Sequence, residues 1–229
     1  MSNLVKVQAV TRPIDEKMTV DEFVAYVARV SNPSNQTNTL TATKLLKYLA
    51  KNKHWSPFEM VNVVMEINTT RDIARQILRH RSFFFQEFSQ RYADPTADLG
   101  FTFREARLQD VKNRQNSIEI GIDGWVDDRG KDKIGTWKIM QELALGASID
   151  AYKWAIENGI AKEQARSVLP EGLTNSRLYM NGTLRSWVHY CQLRMANGTQ
   201  KEHREIATDA WYLITDIFPS LKDTLDIGN

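Results

Sequence analysis

The stretch 61–81, VNVVMEINTTRDIARQILRHR, changes its period partway along. Val61, Val63, Met65 and Ile67 alternate with Asn62, Val64, Glu66 and Asn68, the two-residue repeat of a strand with one buried face. Thr70 is placed to cap a helix, since Ile73, Ala74, Ile77 and Leu78 return at helical spacing and predict a short one ending near Arg79. A strand feeding straight into a helix points to an α/β chain of the α+β type.

The flanking sequence extends this reading. Val5, Val7 and Ala9 alternate as a half-buried strand. Thr19 with Glu22 forms a capping box ahead of Val20, Phe23, Val24, Val27 and Ala28, and a second helix is expected over Thr43 to Lys51 with Leu45, Leu46 and Leu49 as its apolar stripe. His54 to Glu59 reads as a turn, and Phe83-Phe84-Phe85 with Phe88 as an extended or irregular buried segment. A polar, glycine-bearing insertion occupies about 109–133, open to reading as a lid or a surface excursion. Trp137, Met140, Leu143, Ala144, Ala147, Ala151 and Trp154 then outline a long helix closed by Asn158-Gly159, its aromatics expected in the core. A short helix from Ala161 stops at Pro170, a strand covers Thr174 to Met180, and helices come next near Leu184 to Arg194 and Lys201 to Phe218.

Composition bounds the function. A chain of 229 residues, 42% hydrophobic, with neither repeat nor linker, suits a single domain over 1–229. Lys+Arg 30 against Asp+Glu 28 leaves +2, too balanced for a nucleic-acid coat or a membrane-surface protein, so any basic site must be local. One cysteine, Cys191, rules out an intrachain disulfide and suits a reducing compartment. With no signal-peptide pattern and no bilayer-spanning stretch, a cytoplasmic location is expected. There is no dinucleotide glycine fingerprint, no P-loop and no paired-histidine metal spacing.

Arg71, Arg75 and Arg79 stand four apart on one helix face, a repulsive arrangement unless anions or Asp72 offset it. His80 and Arg81 come next, then Glu87, Ser89 and Arg91, so guanidinium clusters flank an aromatic segment holding a carboxylate and a hydroxyl. Guanidinium groups chelate phosphate in a bidentate way, which makes a phosphorylated small molecule the natural ligand. Further on, Leu184, Trp187, Val188 and Cys191 share one helix face and Arg185, His189 and Gln192 the other, which makes Cys191 a core filler. Arg166, before Pro170, can reach an anion or simply be solvated. Two other readings stay open: a nucleic-acid-binding module using the Arg71, Arg75 and Arg79 face, and a thiol-dependent nucleotide methyltransferase using Cys191.

At these residues the chain resembles the flavin-dependent thymidylate synthases, the ThyX family. Arg79-His80-Arg81, seven residues, then Ser89 is similar to that family's signature. Ala28-Arg29-Val30-Ser31, His54-Trp55-Ser56-Pro57-Phe58-Glu59, Ala165-Arg166 with Val168-Leu169-Pro170, Leu193-Arg194 and Gln200-Lys201-Glu202 extend the resemblance over nearly the whole chain. It implies a central sheet flanked by helices and a homotetramer with active sites at subunit interfaces. The implied reaction is reductive methylation of dUMP to dTMP, with 5,10-methylenetetrahydrofolate as one-carbon donor and FAD, reduced by NADPH, as hydride carrier.

Carried over by position, Gln76, Arg79, Glu87, Ser89, Gln90 and Arg91 would contact dUMP, joined by Arg166 and Arg194 from another subunit. Ser31, Ser56, Glu59, Arg79, His80, Arg81, Ser82, Arg185, His189 and Leu193 would contact FAD, with His54 near flavin and folate. Arg194, Arg91 and Ser89 would serve the chemistry, Ser89 as a binder because no histidine or lysine is placed by sequence to activate it. The chain departs from many relatives at Phe84 and Gln86 and from some at His189 and Gly198, and its 109–133 insertion looks longer than in compact ones.

Overall fold

The computed structural model describes residues 4–121, 124–222 and 224. Along the chain run β1 (Val5–Val10), α1 (Val20–Ala28), α2 (Ala42–Lys51), β2 (Asn62–Thr70), α3 (Arg71–Ile77), β3 (Phe83–Glu87) and α4 (Pro95–Asp98). Next come β4 (Arg107–Gln109), β5 (Ser117–Glu119), α5 (Lys133–Glu157), α6 (Lys162–Ala165), β6 (Asn175–Thr183), α7 (Leu184–Arg194) and α8 (Lys201–Ile217). Four strands form one sheet in the order β1-β2-β6-β3, and β4 pairs with β5 in a separate hairpin. The strand-then-helix reading of 61–81 holds, as do the helices and strands expected on either side, and the class is mixed α/β.

The chain divides into two compact units: Met1–Ile67, Arg79–Gln86 and Tyr179–Asn229 form one, and Asn68–Leu78 with Glu87–Leu178 the other. In the first, β1 pairs antiparallel with β2 from Val5↔Ile67 to Val10↔Val63, with a register slip between Val7 and Ala9. Val61, Val63, Met65 and Ile67 are all fully buried, which confirms the two-residue period. The capping box of α1 closes as expected: Thr19 N–H donates to Glu22 at 2.7 Å and Glu22 N–H donates to Thr19 Oγ1 at 3.2 Å. Leu184, Trp187, Val188 and Cys191 turn the apolar face of α7 inward, and Trp187 Nε1 donates to the Val63 carbonyl at 3.0 Å. On α8, His203, Ile206, Ala207, Ala210 and Ile214 form the matching buried stripe.

The second unit packs Tyr152, Ala155, Ala165 and Leu169 around Phe101 and Ile156. Thr70 stands at the N-cap of α3 without capping it, because its hydroxyl bonds the Asp72 carboxylate and accepts from Arg104. The insertion carries the β4–β5 hairpin, whose turn is held by Asp110 accepting from Lys112 N–H at 2.8 Å and Asn113 N–H at 3.1 Å; Ile122 and Asp123 lie outside the described residues.

One expectation fails on α5. Trp137 is 43% exposed, Leu143 65% and Trp154 60%, and Met140 is also exposed. The helix has two apolar stripes, and the one packed inward comprises Gln141, Leu145, Tyr152 and Ala155. Gln141 is buried because it exchanges two hydrogen bonds with the Arg104 backbone, at 2.8 and 3.0 Å. Hydrophobicity alone could not rank the two stripes.

In the first unit β6 runs close to an aromatic ring: a Cβ at Gly182 would fall 2.4 Å from the ring of Phe83, which is itself wedged edge-on against Trp187 at 4.9 Å. Gly182→Ala should therefore cost about 1–3 kcal/mol of stability, a drop in melting temperature of roughly 2–12 °C. Calorimetry that found no drop would mean that Phe83 yields freely.

Candidate active site

The residues singled out from sequence are divided between the two units. In the first unit, the 3-10 turn Ser56–Met60 and the outer face of α7 face each other. Arg185 bonds Glu59, and the His189 ring meets Trp55 edge-on at 5.2 Å. Burial, then the nearby Arg185 charge, pushes the His189 pKa down. A cleft of about 480 Å³ opens here, lined by Lys53, His54, Trp55, Ser56 and Arg185 over an apolar floor of Ala28, Leu49 and Pro57. Ala28 also lines a neighbouring cleft of about 490 Å³ that includes Ser31. His54, Ser56, Glu59, Arg185 and His189 are thus brought together, with Ser31 close by.

His80 and Arg194 form a second centre in this unit. Arg194 Nε donates to His80 Nε2 at 2.9 Å, so that ring nitrogen carries no proton and the imidazole is the neutral Nδ1–H form. Burial, then the charges of Arg194 and Arg79, holds the His80 pKa down at about 4. Leu193 is exposed, and Arg79, Arg81 and Ser82 are exposed without a hydrogen-bond partner among the described residues. They extend outward and are not drawn into either centre.

In the second unit Glu87 is held by Arg75 and by Ser176 Oγ, which donates to it at 2.8 Å. Ser89 Oγ accepts from Arg91 N–H at 3.4 Å. Arg91 Nε and Arg166 Nε both converge on Glu163, the first on its carboxylate at 3.4 Å and the second on its carbonyl at 3.4 Å. Lys162 Nζ donates to the Tyr92 carbonyl at 3.1 Å, which adds a third cation to this corner. Glu163 therefore occupies a guanidinium that an anion could take. Gln76 is half-buried, and Gln90, only 3% exposed, leaves its Nε2 without a hydrogen-bond partner among the described residues.

Both rival readings lose their footing. Arg71 pairs with Glu171 at 2.8 Å and Arg75 with Glu87, so two of the three arginines are neutralised by carboxylates outside their own helix. Cys191 is fully buried, and burial pushes its thiol pKa far above the usual range, which leaves no thiolate for attack.

Sequence reasoning missed Glu163, Tyr190 and His203. His203 Nε2 and the Tyr190 hydroxyl share a hydrogen bond of 3.1 Å in the buried interior. A signal was present: His203 stands in line with Ile206, Ala207 and Ala210 on the apolar stripe of α8. Burial, then Arg194 and His80, pulls the His203 pKa down to about 3.

Both His80 and His203 therefore bind protons more weakly in the fold than in the unfolded chain, where histidine titrates at about 6.5. Their neutral forms contribute full stability above about pH 6.5, and that contribution is lost as pH falls towards about 4 and about 3. Replacing His203 by Gln should make unfolding free energy less steep in pH by about 1.4 kcal/mol per pH unit near pH 5, measured in urea. An unchanged slope would mean that His203 is already protonated in the fold.

Comparison with known proteins identifies the family. Residues 14–220 match the family model described as thymidylate synthase complementing protein. A probable flavin-dependent thymidylate synthase of Paramecium bursaria Chlorella virus 1 is 46% identical, over 96% of this chain and 98% of that protein. A flavin-dependent thymidylate synthase of Synechocystis sp. is likewise 46% identical, over 92% of each. Among solved structures, a UMP/dUMP methylase PolB from Streptomyces cacaoi, bound with 5-Br dUMP, has the same fold, with a TM-score of 0.75 at 23% identity over 96% of this chain and 93% of that one. By the length and level of these matches, the chain belongs to the flavin-dependent thymidylate synthase family.

Proposed function

We propose that this protein methylates dUMP to dTMP, with 5,10-methylenetetrahydrofolate as carbon donor and NADPH as the source of reducing power, and that it does so in the cytoplasm. The observation that carries this reading is the pairing of the Arg91 guanidinium with Glu163 beside Ser89. A guanidinium held against a half-exposed carboxylate makes an anion site whose occupant a phosphate can replace. The family model spans both compact units, which supports their working as one domain.

The residues around the α7 cleft fit FAD. Trp55 and His189 offer aromatic surface, Arg185 and Lys53 positive charge, and Ser56 a hydroxyl, the mix that a planar ring carrying a diphosphate needs. When bound, the flavin supplies the hydride of the reaction. The chain's own part is binding and electrostatics. Ser89 and Arg91 hold the nucleotide together with Gln76, Arg79, Glu87 and Gln90; Arg166 and Arg194 come from another copy. The guanidinium of Arg194 stabilises negative charge developing on the pyrimidine. Ser31, Glu59, His80, Arg81, Ser82 and Leu193 complete the flavin contacts, and His54 lies towards the folate.

The uncovered stripe of α5, with Trp137, Met140, Leu143 and Trp154, supports assembly into a homotetramer, since an apolar surface of this kind costs free energy for as long as water covers it.

The purified protein should be yellow, or turn so with added FAD, and should convert dUMP to dTMP only when folate and NADPH are both present. A colourless protein that refuses FAD would overturn the reading. Arg91→Ala should weaken dUMP binding by roughly tenfold or more while sparing FAD, and Cys191→Ser should keep its activity. Unchanged dUMP affinity by calorimetry would remove Arg91 from the site.

A further inference from the structure

We propose that Tyr190 and His203 are positioning residues that act through the ring of His80 to hold the guanidinium of Arg194 in its substrate-binding pose. The proposal rests on the reading of Arg194 as a nucleotide contact. Its starting point is the weakness of Arg194's own position. Arg194 is the last residue of α7, and a long side chain at a helix end is free to sample many rotamers. What restrains it is the bond from its Nε to His80 Nε2. That bond consumes the inner nitrogen, while the two terminal nitrogens, which make no hydrogen bond among the described residues, remain as a fork for an anionic or carbonyl ligand.

His80 in turn needs a backing to hold its lone pair towards Arg194. The ring stands edge-on to Tyr190 at 4.9 Å and 81°, and to His203 at 6.3 Å and 88°. Tyr190 is fixed on its far side by Trp187 at 5.7 Å and at its tip by the hydrogen bond to His203. Tyr190 and His203 are 1% and 0% exposed, so the three rings form a brace from α8 through α7 to His80, three residues ahead of β3, and back to the end of α7. The brace works only uncharged. His80 faces Arg194 and Arg79, and His203 faces Arg194 and His80, so a proton on either ring would set like charges together, and one on His80 Nε2 would also cancel the acceptor that Arg194 uses. Tyr190 stays protonated, because burial pushes its pKa well above the usual value.

A buried tyrosine–histidine pair that merely satisfied two polar atoms would leave substrate binding alone, and this separates the two accounts. The test measures dUMP affinity by calorimetry for Tyr190→Phe, His203→Leu and His203→Gln, each with and without Arg194→Ala, alongside nitrogen NMR of His80 in the unliganded protein. We expect Tyr190→Phe and His203→Leu to weaken dUMP roughly tenfold, the size usual for a residue acting through a bonded neighbour. His203→Gln, which can still bond the tyrosine, should restore most of the affinity, and in the Arg194→Ala background none of the changes should matter. The NMR spectrum should show the Nδ1–H form of His80 in the wild-type chain and a mixture of forms in Tyr190→Phe. Losses of equal size with and without Arg194, or a His80 ring unaltered by Tyr190→Phe, would overturn the proposal. A wild-type protein that bound no dUMP at all would sink the nucleotide reading too, whereas normal wild-type binding with unaffected variants would sink the brace alone.

Discussion

One buried hydrogen bond, from the Trp187 indole to the Val63 carbonyl, fixes how α7 is rotated against β2. An indole N–H has a single donor and no alternative partner in an apolar interior, so turning the helix would strand it at the cost of an unmade bond. With that rotation set, Leu184, Val188 and Cys191 must face inward. Arg185 and His189 must then face outward, towards Glu59 and Trp55. The cleft is in this sense the reverse side of a packing decision. Its polar residues owe their placement to the tryptophan behind them.

The same rotation accounts for how much could be read from the chain alone. Periodicity is local, and wherever burial obeys it the reading succeeds: the fully buried alternate residues of β2, the capping box of Thr19 and Glu22, and the two faces of α7 are all plain in the sequence. On α5 the rule had two answers, and the choice was made by Gln141, a polar residue drawn inward by the Arg104 backbone. Thr70 shows a related limit. Its place ahead of α3 suits a cap, yet Asp72 and Arg104 compete for its hydroxyl and win. Local propensity names the position of such a residue, and tertiary partners decide its bond.

Charge pairing is the part that sequence hides most. Three arginines at four-residue spacing look like one electrostatic object, but Arg71 answers to Glu171 and Arg75 to Glu87. No local rule links residue 71 to residue 171. The family resemblance supplied candidate site residues by position, and the structure gathers some of them into groups, yet it adds Glu163, Tyr190 and His203, which bond or pack against them. These supporting residues leave faint traces in a single sequence, because a histidine on an apolar stripe reads most simply as core.

The sealed position of Cys191 gives the molecule an internal clock. The chain has one sulfhydryl, wholly buried, where burial also disfavours the reactive thiolate. An alkylating reagent in solution can reach it only while that region is open, so the pace of labelling counts opening events and not surface chemistry. Ligands that close or tighten this part of the protein would slow the labelling, and mutations that loosen it would quicken it. A residue with no part in the reaction thereby becomes a direct gauge of how firmly the rest is held.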